Sequence, residues 1–184
     1  YYEILLLNTN VKHNLASSAY NDRRAACEQA VKWVKEHYPL VESLRDVTVE
    51  QLDEFVLPKS QDVYTKSRLV DAENDRVIKA NIALKNYEFE TLGKRLFEAH
   101  WALSKQYEVS CDELDFLIEN VQKIPEVIGA RMMGGGFGGC TINIIEKGNR
   151  DKVIKKISPL YESKFGILPT ALKISIGNGT SLVD

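Results

Sequence analysis

Five of the chain's eleven glycines fall within the six residues Gly134-Gly135-Gly136-Phe137-Gly138-Gly139. In a regular helix or strand each would cost roughly 0.5–1 kcal/mol relative to alanine. Such clustering suits backbone that needs positive φ or close approach to another group. Glycine amides are unshielded, and a run of them suits the oxygens of a phosphate; Gly134, Gly135 and Gly136 are therefore candidates for a phosphate-associated loop. The spelling also satisfies G-x-G-x-x-G, but a dinucleotide fingerprint must open a helix after its strand. Here Cys140-Thr141-Ile142-Asn143-Ile144-Ile145 follows, bounded by Glu146-Lys147-Gly148, and that run reads as a strand. The arrangement is strand, glycine-rich connection, strand. A plain hairpin would need only one or two glycines.

No complete catalytic set accompanies this loop. The chain holds no Ser-His-Asp pattern, no HExxH, no CxxC pair and no Walker A sequence. His100 lies beside an apolar stripe; a ligand or proton-transfer role and a hydrogen-bonded core histidine are both open, the core role being the commoner one. Arg23-Arg24 can meet a phosphate or form a solvated face beside Asp22 and Glu28. Most acidic residues fall on helical faces, where solvation is the default.

The 184 residues suit one domain, or one domain with an insertion. Apolar content of 44% with 27% charge is ordinary for a globular protein with a core. A net charge of −2 gives no basic surplus for nucleic acid or a membrane surface. No apolar run approaches membrane-spanning length and no signal peptide is visible. Cys27, Cys111 and Cys140 are odd in number and scattered, which suits reduced, buried thiols in a cytosolic protein. The only methionines are Met132 and Met133, and Tyr1 already lies in a strand-like run, so the chain is expected to be a piece of a longer protein.

The elements that must position the glycine loop follow in order. Tyr1 to Leu7 reads as a strand covered on both faces and ended by Asn8-Thr9-Asn10. Ser17 or Ser18 can cap a helix running to about His37, with Ala26, Cys27, Ala30, Val31 and Val34 as its stripe and Pro39 beyond it. Thr48 is placed to cap a turn through Leu52 and Phe55. A long helix is predicted over 62–85, with Val70, Val77, Ile78 and Leu84 apolar, and a cleaner one over 89–103, with Phe89, Leu92, Leu96, Ala99 and Leu103 in register. Ser110-Cys111-Asp112-Glu113 spells a capping box before a face of Leu114, Leu117, Ile118 and Val121. A further helix spans 150–164 on Val153, Ile154, Ile157 and Leu160, with Pro159 expected to kink or stop it. Thr170 to Ile176 alternates as a half-buried strand. The skeleton is βαββαβ, a ferredoxin-like α+β fold with a helical insertion, about 17–106, in the first crossover.

The stretch Gly129 to Cys140 resembles the third motif of the GHMP kinases, and its Phe-Gly-Gly-Cys ending resembles the galactokinase branch. Two more stretches agree: Asn8 to Tyr20, and Tyr107-Glu108-Val109-Ser110-Cys111-Asp112-Glu113-Leu114-Asp115. The three occur in order between residues 8 and 140, and the chain is similar to the C-terminal half of a galactokinase. The resemblance implies phosphoryl transfer from ATP, with Mg2+, to galactose in the cytoplasm. It implies that the catalytic residues, the ATP phosphate loop and most nucleotide and metal contacts belong to an N-terminal half, with no catalytic or metal-binding residue in this one. It makes Tyr20 the residue that packs on the sugar, its aromatic face suited to C–H surface and its hydroxyl to the rim. The glycine loop would lie against the ATP loop of the other half, and this chain alone would be inactive. Met133 departs from the small hydroxylated residue usual there, and Trp101 to Gln106 from the commoner Arg/Asp-rich wording. A non-catalytic galactose- and ATP-binding sensor, and a kinase for a related sugar such as N-acetylgalactosamine, share these motifs.

Overall fold

Four antiparallel strands in the order β2-β3-β1-β4 form the floor of the molecule: β1 (Tyr2–Lys12), β2 (Val127–Met132), β3 (Gly138–Glu146) and β4 (Thr170–Lys173). The computed structural model describes residues 1–12, 16–177 and 179. Helices α1 (Ala16–Lys35), α2 (Val49–Phe55), α3 (Gln61–Lys85), α4 (Phe89–Lys105) and α5 (Asp112–Val121) fall between β1 and β2, and α6 (Arg150–Phe165) joins β3 to β4. The fold is α+β, and its strand order is that of a ferredoxin-like sheet.

The period of two along β1 and β3 sets the core. Leu5 and Leu7 of β1 pair with Asn143 and Thr141 of β3, so these side chains share one face with Ile145. Leu117, Ile118 and Val121 of α5 and Val153, Ile157 and Tyr161 of α6 cover that face, giving a continuous buried cluster. The Tyr161 hydroxyl donates to Thr9 O at 2.8 Å, which satisfies its polar end inside the core. A second cluster, with Ala30, Val34, Leu52 and Val56 at its centre, binds α1, α2 and α3 together. Thr48 caps α2 through a reciprocal box with Gln51, as its position predicts.

Several expectations are corrected. Asn8-Thr9-Asn10 do not end β1, which continues to Lys12 through a register shift, with Asn10 at φ 58°. Helix α1 begins at Ala16, so Ser17 and Ser18 lie inside its first turn and hold no cap position; His13, Asn14 and Leu15 lie outside the described residues. On α3 the expected stripe is turned outward: Val77, Ile78 and Leu84 are exposed, while Lys66, Ser67, Leu69 and Ala83 are buried. Apolar periodicity on so long a helix marks several faces, and packing chooses among them. Helix α6 runs through Pro159 to Phe165, where the freed carbonyl belongs to the exposed Lys155; Tyr161, not Leu160, enters the core. Strand β4 stops at Lys173, because only Thr170 to Lys173 find partners on β1.

Helix α4 lies on β2 by backbone contact. A Cβ on Gly93 would stand 2.5 Å from the carbonyl carbon of Ile128, and one on Gly129 would stand 2.7 Å from Gly93 O. Two facing glycines thus fix the distance between α4 and the strand that leads into the glycine turn.

Candidate functional site

The glycine turn joins β2 to β3, as the strand–loop–strand reading predicts. Gly134, Gly136, Gly138 and Gly139 have φ of 77°, 82°, 121° and 79°, and Phe137 adopts 57°. Four of the five glycines therefore occupy backbone that an L-residue resists. Gly136 has a second constraint, since a Cβ there would stand 2.9 Å from the carbonyl carbon of Val109. Gly134 and Gly135 are exposed, with nothing within 4 Å of where a Cβ would be. Met133 N–H donates to Cys140 O at 2.9 Å and Phe137 N–H to Val109 O at 2.8 Å, bracketing the turn. Among the described residues, the amides of Gly134 and Gly135 have no backbone partner. The geometry leaves a bare backbone patch open to solvent, suited to an anionic group.

The segment Tyr107–Ser110 forms the wall beside this turn, and two cationic side chains hold it. Arg23 Nε donates to Tyr107 O at 2.8 Å, and Arg23 also reaches the Glu108 carboxylate at 3.3 Å. Arg23 is therefore no solvated face residue; Arg24 is, exposed and paired with Glu28 one turn away. The Lys66 side chain, 4% exposed, donates to Gln106 O at 2.8 Å and to Glu108 Oε2 at 2.6 Å. The Lys66 hydrogen bond and charge hold the Glu108 carboxyl below its usual range, with a smaller contribution from Arg23. Glu108 itself stands at φ 55°, so these contacts hold a residue in the left-handed region next to Val109.

Tyr20 sits one turn before Arg23 on α1 and is 51% exposed, which excludes an ordinary buried tyrosine. It lies near enough to act on Tyr107, whose hydroxyl is pushed well above its usual range by burial, then by Cys27 and by Tyr20. The Tyr107–Val109 segment thus meets α1 through Arg23 and the glycine turn through Val109 O.

His100 is fully buried. Its Nδ1 accepts Met132 N–H at 3.2 Å, and its Nε2 lies 3.2 Å from Asp115 Oδ1. The core reading of His100 holds, and no ligand role is needed for it. Ser110 does not cap α5: the N-cap is Cys111 without a side-chain bond, and Ser110 Oγ donates instead to Asp115 Oδ1 at 2.5 Å. Ser104 Oγ and Lys105 Nζ donate to Asp115 Oδ2 at 2.6 and 3.1 Å. Burial pushes the Asp115 carboxyl up, but the contacts from His100, Ser104, Ser110 and Lys105 outweigh it and hold the group well below its usual range. Residue types alone single out neither Asp115 nor Glu108 nor Lys66; the signal available was that Glu108 and Asp115 lie inside the Tyr107–Asp115 motif.

The three cysteines are free and half-buried rather than fully buried. Among the described residues no group of three or more His, Cys, Asp or Glu is placed to hold a metal. No described helix is long and apolar enough to cross a membrane.

Comparison with known proteins agrees with this geometry. Residues 80–162, spanning α4, α5, the glycine turn and most of α6, match the family model of the GHMP kinases C terminal. That part of the chain is similar to the C-terminal domain of the GHMP kinases. It is 39% identical over 182 residues to a galactokinase of Thermosipho africanus, which covers 99% of this chain and 49% of that protein. The galactokinase of Thermotoga petrophila is 40% identical over 182 residues, with the same coverage. The crystal structure of Lactococcus lactis galactokinase complexed with galactose superposes with a TM-score of 0.88 and 32% identity, covering 98% of this chain and 46% of that one. The chain spans about half the length of the curated relatives it matches. The glycine turn and the Tyr107–Ser110 segment lie inside the matched residues, and Arg23 and Lys66, which hold that segment, lie outside them.

Proposed function

We propose that the chain is the C-terminal half of a galactokinase, which transfers a phosphoryl group from ATP to galactose and yields galactose 1-phosphate. The observation that carries this reading is the open backbone patch of the glycine turn, in a chain whose whole length is similar to galactokinases. In this proposal the helices of about 17–106 are an insertion that carries Tyr20, and the bare amides of Gly134 and Gly135 face the nucleotide phosphates together with Gly136, which shapes the turn. The residues present fit such an anion: small, exposed and with amides free of backbone partners. They offer no carboxylate cage, so Mg2+, which would neutralise phosphate charge during transfer, is assigned to the N-terminal half together with the catalytic groups. Positioning dominates phosphoryl transfer, so this half alone is expected to be inactive. A cytoplasmic location accompanies the reading.

The deciding experiment is ATP consumption with galactose by the full-length protein and by the 184-residue chain. Turnover in the full-length protein alone supports the proposal. Binding of galactose and ATP without turnover would favour a sensor, and turnover by the short chain would refute the division of labour.

Tyr20→Ala in the full-length protein is expected to weaken galactose binding about tenfold while changing ATP affinity less than twofold, read by titration calorimetry. A tenfold change is about 1.4 kcal/mol, in the range of one lost aromatic contact. Equal galactose affinity would remove Tyr20 from the sugar site. Gly135 has neither a positive φ nor a neighbour within 4 Å, so Gly135→Val is expected to fold with an unchanged Tm. Its bulk would instead obstruct close approach of phosphate and raise KM for ATP about tenfold; unchanged kinetics would exclude the turn from nucleotide contact.

A further inference from the structure

We propose that His100 is a positioning residue for the glycine turn, acting through Met132; the inference rests on the reading of that turn as the nucleotide-facing element. Among the described residues β2 is an edge strand of the sheet, paired with β3. Met133 N–H points to Cys140 on β3, so the preceding amide, Met132 N–H, points away from the sheet. His100 Nδ1 accepts that amide at 3.2 Å, in the interior between α4 and β2. Because Nδ1 is an acceptor, the neutral ring carries its proton on Nε2, the nitrogen that faces Asp115. Asp115 is held in turn from two directions, by Ser104 and Lys105 of α4 and by Ser110 before α5.

Met132 transmits this hold to the turn. Its side chain is fully buried, and its Sδ would lie 3.3 Å from a Cβ on Gly136, which places it beneath that glycine. Met132 also shares a buried cluster with Val109 and Leu114, against which Phe137 packs. One residue therefore presents its amide to His100 and its side chain to the underside of the turn. Val109 O, the acceptor of Phe137 N–H, supports the other flank. Turning or removing the imidazole frees the end of β2 and lets Gly134 to Gly136 leave the conformation that exposes their amides.

Two substitutions in the full-length protein separate the two ring nitrogens. H100N places an oxygen near the position of Nδ1 and retains an acceptor for Met132 N–H. H100Q places an amide near the position of Nε2, retaining a donor to Asp115 and leaving the Met132 amide without a partner. H100Q is expected to speed hydrogen exchange of the amides between Met132 and Gly139 at least tenfold and to weaken MgATP binding about tenfold, with galactose affinity within twofold. H100N is expected to stay within threefold of the parent on every measure. Unchanged exchange in H100Q, or equal effects in the two variants, would overturn the inference, since a general packing role predicts no difference between them. Faster exchange in H100Q with unchanged MgATP affinity would instead overturn the nucleotide reading of the turn, while the hold on its conformation would stand. If H100Q does not accumulate folded, Ser104→Ala carries the same test: it removes one contact to Asp115, with an expected threefold rise in exchange, and no rise would overturn the inference.

Discussion

Gly93→Ala is expected to lower the stability of the chain by about 3 kcal/mol, the upper part of the range for overpacking. For a domain of this size that corresponds to a fall in Tm of about 6–12 °C. The sign is the informative part. Glycine to alanine inside a helix ordinarily adds about 1 kcal/mol of helix propensity. Here the added methyl would fall against the backbone of Ile128, where no side chain can rotate away. Either α4 must lift from β2 or the end of β2 must shift, and β2 leads directly into the glycine turn. Thermal unfolding by circular dichroism reads the effect. A Tm equal to or above the parent's would mean that the facing glycines are not a close-packed contact.

Asp115→Asn is expected to cost about 2 kcal/mol at neutral pH, since charge-assisted hydrogen bonds to one carboxylate contribute about 1.5–3 kcal/mol. The pH dependence identifies the charge as the cause. Contacts from His100, Ser104, Ser110 and Lys105 hold the folded carboxyl below its usual range despite burial. The unfolded chain then binds the proton more readily than the folded one, so stability rises with pH through the window between the two values. The Asp115 contribution is complete above the unfolded value of about 3.9 and is lost as pH falls from there towards the lower folded value. Urea titrations of parent and variant should differ by a constant amount between pH 5 and 7 and draw together progressively below about pH 4. A gap that persists unchanged at low pH would mean that shape, not charge, makes Asp115 necessary.

Much of this arrangement is legible from local pattern. The strand–glycine–strand order around residues 129–145, the buried face of α5 and the Thr48 cap all follow from features within a few residues of one another. A period of 2 or 3.6 and a turn's demand for positive φ are properties of neighbouring backbone, so the chain displays them wherever it folds. The resemblance to GHMP kinases rests on the same kind of contiguous wording.

What only the tertiary structure decides is which polar partner each buried group meets and which face of a long helix is covered. Ser110 has the spelling of a cap but donates to Asp115, because α5 brings that carboxylate within 2.5 Å. Arg23 reads as a surface residue until the chain returns Tyr107 to α1, 84 residues later. His100 gains its role from an amide 32 residues away, on a strand at the edge of the sheet formed by the described residues. The stripe of α3 faces outward although its period is helical, because the helix meets its neighbours along the line of Lys66, Leu69 and Ala83. Periodicity and turn chemistry are written within a short window of sequence. The satisfaction of buried polar groups depends on contacts across dozens of residues, and it exists only once the elements have packed.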